Sequence, residues 1–163
     1  MRPIEWRGKD IDTGEWVYGF YGKKPRAKGQ SDEHFIIKTS EKDYTQKGTL
    51  ILFADYVVNP DTIGQFTGLH DKNDKEIYEG DIICFKKPVY EVDPCDDLLN
   101  IIDIETYKGL VCFMNGQFIV ETEHRLKGRF KQPLYDHIYA CLGNGEITVI
   151  GNIHDNPELL EEK

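Results

Sequence analysis

The segment Thr62-Ile-Gly-Gln-Phe-Thr-Gly-Leu-His-Asp-Lys-Asn-Asp-Lys-Glu-Ile-Tyr-Glu-Gly-Asp-Ile-Ile83 constrains the fold of this 163-residue chain more than any other. It reads as a strand end, a polar turn, and a second strand that closes on a Gly-Asp corner before more apolar residues. Glycine lets the backbone bend where a branched residue cannot, and a polar run between two apolar runs marks a hairpin. This is the grammar of a small, strongly bent β-barrel. Glu79-Gly80-Asp81 reads as structural, with Gly80 permitting the bend and Asp81 accepting turn amides. Gly64 and Gly151 take the same reading.

The rest of the chain repeats that grammar. Ile4–Arg7 and Trp16–Tyr21 flank Ile11-Asp-Thr-Gly14, which predicts a first hairpin. Gly22–Ser31 is basic and rich in Gly and Pro, the composition of a solvated loop. His34–Lys38 and Leu50–Ala54 read as strands, and Asn59-Pro60 as a break. Asn115-Gly116 lies between two apolar runs, the favoured two-residue hairpin turn. Ile138–Leu142 and Glu146–Ile150, joined by Gly143-Asn-Gly145, predict a further hairpin. Asp93–Glu105 is ambiguous: Leu98, Ile101, Ile102 and Glu105 have the spacing of a helix face behind an Asp96 cap, yet the run also reads as a loop feeding a strand from Asn100. Asn156-Pro157-Glu-Leu-Leu, with a cap, a proline and an acid in order, predicts a short terminal helix. The Ile63–Asn73 and Ile150–Asn156 stretches echo one another faintly.

Composition narrows the function classes. Apolar residues reach 39%, with 8 Phe, 9 Tyr and 2 Trp, enough for a packed core. The net charge of −9 repels phosphate, so the whole chain disfavours nucleic acid. It leaves room for an acidic mimic of DNA. Cys84, Cys95, Cys112 and Cys141 form no Cys-x-x-Cys pair, and two lie in apolar strand patterns, as buried thiols in a reducing compartment do. The N-terminus has no apolar signal core, and no apolar run is long enough to span a bilayer. The expectation is a cytoplasmic protein with no membrane partner.

Three blocks resemble the YopX family of phage and prophage proteins: Arg7–Gly19, Gly64–Ile82 and Val149–Leu159, in the family's order. Pro88–Tyr107 falls outside them as a variable insertion. The resemblance implies a mainly β chain with two small all-β subdomains, one an SH3-like barrel. We place these at about 1–60, with parts of the C-terminal half, and about 61–156. The family supplies no catalytic residues. Asp74 stands where its turn more usually has Gly, and His70 and His154 stand where other residues are common.

Candidate chemistry is sparse. Asp71-Lys-Asn-Asp-Lys-Glu76 superficially matches a calcium loop but has Glu76 at the required Gly and Ile82 at the bidentate Glu position. It reads as a polar hairpin turn. His70, Asp71, His154 and Asp155 are the candidates for a metal-dependent hydrolytic cluster, should their two blocks converge. Asp93, Asp96, Asp97, Asp103 and Glu105 carry oxygen ligands without a phosphate loop. Trp6, Trp16, Tyr18, Phe20 and Tyr21 can stack on bases or build a core. No catalytic or cofactor-binding residue and no cofactor is assigned. The expected function is that of a non-enzymatic accessory protein acting through contacts with a host or phage protein, or with its own copies.

Overall fold

The computed structural model describes residues 4–39, 53–92, 99–124, 128–133 and 147–161. Their strands form two antiparallel sheets, one of order β4-β3-β2-β1-β5-β6 and one of order β10-β9-β8-β7-β11, whose spans follow below. Both sheets are open. Among the described residues no end strand pairs with the opposite end, so the expected SH3-like barrel is not closed. The chain divides into two compact units, residues 1–68 and 69–163.

In the first unit, β1 (Trp6–Lys9) and β2 (Trp16–Lys24) form the expected hairpin, from Trp6↔Gly19 to Lys9↔Trp16. Its turn is organised by Asp10, whose Oδ1 accepts the amides of Asp12 at 3.0 Å and Thr13 at 2.8 Å and the Thr13 hydroxyl at 3.1 Å. The Thr13 amide bond, foremost, holds this carboxyl below its usual range. Beyond Gly19, β2 changes partner and pairs with β3 (Glu33–Thr39), from Phe20↔Ile37 to Lys24↔Glu33. β4 (Phe53–Val57) completes this side. Alternate residues point to opposite faces. Val17, Ile36 and Val58 therefore form the core, with Trp6, Tyr21 and Ile63 packed against them. Residues 22–24 of the predicted basic loop belong to β2; the remainder is exposed as its composition predicts, and the ion pairs Lys23–Asp32 (2.7 Å) and Arg26–Glu33 (2.6 Å) span it. The break at Asn59 is a single 3₁₀ turn, Pro60–Thr62, capped by the Asn59 side chain.

β5 (Gly64–His70) starts beside β1 and turns back as β6 (Glu76–Tyr78). The second unit continues with β7 (Asp81–Val92), β8 (Leu99–Met114), β9 (Gln117–His124), β10 (Gly128–Pro133) and β11 (Thr148–Asn152). Its core is Ile77, Ile83, Phe85, Val111, Val120, Ile147 and Val149. Each such side chain contributes about 1.5–3 kcal/mol on burial. The β8–β9 turn is as expected, with Asn115 and Gly116 both left-handed at φ 53° and 80°.

Of the two readings left open for Asp93–Glu105 the strand is the one observed, and the terminal helix is corrected. From Leu99 the chain is strand, because every residue from Leu99 to Leu110 except Ile102 finds a partner on β7 and ladder bonds outweigh helical spacing. The proposed Asp96 cap lies outside the described residues. The C-terminal helix is only a 3₁₀ turn, Pro157–Leu160: Asn156 gives it no side-chain cap, and one turn has no partner bonds to propagate. In the last predicted hairpin, residues 138–146 lie outside the described residues, and β11 pairs with β7.

Candidate functional site

The central motif is a turn built on Asp71. This residue is 8% exposed. Its Oδ1 accepts the amides of Asn73 at 2.7 Å and Lys75 at 3.0 Å, and its Oδ2 accepts the amide of Val149 at 3.1 Å. The Asp71 amide also donates to the Lys75 carbonyl, and Lys72 to that of Ile147. One carboxylate thus closes the β5–β6 hairpin and ties it to β11. Burial pushes its carboxyl upward, but the bonds from Val149, Lys75 and Asn73 together outweigh that and hold it below the usual value.

Asp74, in the same turn, has φ 63°, the left-handed region where a side chain crowds the backbone. Asp74→Gly is expected to stabilise the protein by up to about 1 kcal/mol, less than the full left-handed penalty because glycine adds unfolded-state entropy. A chemical melt checks this; a lower midpoint counts against strain at this position.

The other motif residues serve the same purpose. Gly80 takes φ 82°, donates to the Val111 carbonyl and accepts from Ile153. Asp81 accepts the buried Tyr78 amide at 2.8 Å. Gly64 shows no such bend; it sits in register with Arg7. Gly151 is packed under the next turn, where an added Cβ would lie 2.6 Å from Asn156 Oδ1. Asn152 Oδ1 accepts the amides of His154 at 3.0 Å and Asp155 at 2.9 Å, and its Nδ2 donates to the Asp155 carboxylate at 2.8 Å. Asp10, Asp71 and Asn152 are three instances of one device, a short polar side chain capturing amides two to four residues on. Asp10 and Asn152 escaped the sequence reading, although an Asx residue opening each turn was the available signal.

The four candidate metal residues are therefore placed as follows. Asp71 is buried and engaged by three amides, His70 is exposed at the end of β5, and His154 and Asp155 lie in the exposed turn after β11. Among the described residues, no three His, Cys, Asp or Glu side chains gather to hold a metal ion. Of the acidic run, Asp103 and Glu105 are exposed on β8, and Asp93, Asp96 and Asp97 lie outside the described residues. Cys84 and Cys112 are half-buried free thiols. No described helix is long and apolar enough to cross a membrane.

Two surface features depend on strand register. β7 and β8 remain paired out to Val92↔Leu99, whereas β11 reaches only Cys84 on β7 and β9 only Gly109 on β8. Among the described residues the pair thus extends as a two-stranded ribbon. On it the Tyr107 hydroxyl donates to the Glu105 carboxylate. That bond, then burial, pushes Tyr107 up from 10.0 to about 12. The bond's stability is present below the unfolded value near 10 and is lost as pH rises through the folded value. In an absorbance titration compared with Tyr107→Phe, Tyr107 is expected to ionise near the top of that range, and Glu105→Gln to bring it back toward 10. An unchanged titration in Glu105→Gln refutes the bond. The second feature is a row of aromatic side chains on the outer face of β2.

Two open antiparallel sheets whose motif residues are turn-makers define a β scaffold. The chain belongs to the YopX family: the family pattern described as YopX protein matches residues 5–161. The fold is similar to that of the crystal structure of protein EF1440 from Enterococcus faecalis, with TM-score 0.54 and 24% identity, covering 99% of this chain and 100% of that one. A comparison with curated proteins gave no match.

Proposed function

We propose that this YopX-family chain is a non-enzymatic accessory protein of a phage or prophage. It acts in the bacterial cytoplasm by binding another protein of the phage or its host. The observation that carries this reading is the β7–β8 ribbon. From Phe85 to Val92 and back through Lys108, neither outer edge meets a further strand among the described residues. Such edges present backbone donors and acceptors to an incoming strand. Ile102 and Ile104, 57% and 50% exposed, lie on it. Ile102 is the extra residue of a bulge, since the register steps from Val89↔Asp103 to Tyr90↔Ile101. The carboxylates of Asp10, Asp71 and Asp81 support the non-enzymatic part, because backbone amides engage all three.

A photo-crosslinking residue at Ile104, tested in nuclease-treated host lysate, is expected to trap one partner. The same residue at Ile11, exposed on the other hairpin, traps none. Excess unlabelled wild-type chain is expected to compete the adduct away, whereas excess unlabelled chain with residues 88–105 replaced by a two-residue turn, which keeps the far-UV spectrum of the remaining strands, is not. An adduct of twice the chain mass identifies the partner as a second copy. Identical adducts from both positions, or none, overturn the reading.

A further inference from the structure

We infer that the outer face of the first unit binds single-stranded nucleic acid. The charge of the chain is divided unequally. Residues 1–68 carry 10 Lys and Arg against 10 Asp and Glu, while residues 69–163 carry 10 against 19. The whole excess of −9 therefore belongs to the second unit, and the repulsion of phosphate by the chain as a whole is not a property of the first.

The face itself is aromatic and flanked by cations. Trp6, Val17, Tyr21 and Ile36 point into the core, so the alternate residues Trp16, Tyr18 and Phe20 lie together on the other side of β2. Tyr18 is 45% and Phe20 54% exposed. The row continues across the strand: Phe20 faces Ile37 in register, and the Phe35 ring lies over Gly22, where an added Cβ would be 2.3 Å away. At one end the Lys9 ammonium sits 5.5 Å from the Trp16 ring centre, and the Arg7 guanidinium, 5% exposed and closed to solvent, packs 4.7 Å from the same ring. At the other, Lys24 stands exposed in register with Glu33.

The spacing decides between single and double strands. Alternate residues on a strand stand about 6.7 Å apart. Stacked bases lie about 3.4 Å apart. Tyr18 and Phe20 thus suit two splayed bases, one per ring, which only an unpaired strand presents, while Lys9 and Lys24 lie where its phosphates pass. A protein partner would gain little from cations at both ends of an apolar row. Asp55, in register with Ile37 on β4, is a carboxylate on the same face and opposes binding.

The test is fluorescence anisotropy of a labelled thymidine 12-mer titrated with the full chain at low salt. Saturable binding is expected, weakened about five-fold or more by Tyr18→Ala and again by Phe20→Ala. Neutralisation of two phosphates gives a log–log salt slope of about −1.4. Asp55→Lys tightens binding, and Ile104→Ala, exposed on β8 of the second unit, leaves it unchanged. All variants must keep the wild-type thermal midpoint within a few degrees; if an alanine variant does not, Asp55→Lys decides. Absence of binding, binding indifferent to both aromatic changes, or equal affinity for duplex overturns the inference. So does a lysate protein whose retention depends on Tyr18 and Phe20 when the oligonucleotide does not bind.

Discussion

Asp71→Ala is expected to lower stability by about 3 kcal/mol, a fall in thermal midpoint of roughly 9 °C for a chain of this size. Three amides lose their acceptor, but unequally. Those of Asn73 and Lys75 lie in an exposed turn where water replaces the carboxylate, whereas that of Val149 is buried and stays unsatisfied. Asp71→Asn keeps one oxygen but presents an N–H to a donor, and costs roughly 2 kcal/mol.

The two variants also carry a pH signature. The folded carboxyl titrates below its unfolded value. Its contribution is therefore fully present above about pH 4 and is lost as pH falls through the folded value. Denaturant melts at descending pH should show the gap between wild type and Asp71→Asn closing below about pH 4. A gap constant with pH would show that the amides do not depend on the charge.

Gly19→Ala is the second large expectation. An added Cβ would lie 2.2 Å from the Ile37 carbonyl oxygen and 3.3 Å from Ile36 Cγ2. The nearer neighbour is the backbone of β3, which cannot rotate away as a side chain could. The cost is about 3 kcal/mol, at the upper end of overpacking, with a midpoint about 9 °C lower. Trp6 and Trp16, the chain's two tryptophans, both lie in the first unit, so their fluorescence reads this transition directly. A shift under about 2 °C would show that β3 can retreat, and that Gly19 is not the fixed point at which β2 exchanges β1 for β3.

Together the variants separate two kinds of motif residue. Asp71 is needed because its Oδ2 accepts a buried amide 78 residues away. Gly19 is needed because two backbones meet there. Both belong to blocks that the family resemblance picks out. At these two positions the motif records how the scaffold is bent.

Local chemistry was legible in the sequence. Asn115-Gly116 specifies its turn because few other pairs adopt two left-handed conformations in succession. The Gly80–Asp81 corner, the first hairpin, the break at Asn59 and family membership rest on similarly short-range constraints. Tertiary structure decided the rest. Residues 99–107 are strand because β7 lies alongside them, and Asp71 is buried only because β11 arrives to claim its second oxygen. Among the described residues neither β sheet closes into a barrel, since closure depends on how far strands tilt and stagger, a sum over the sheet that no local run encodes. The aromatic residues near the N-terminus were visible as a group. Which of them face the core, and that the negative charge belongs to the other unit, followed from strand register and chain partition, which are long-range quantities.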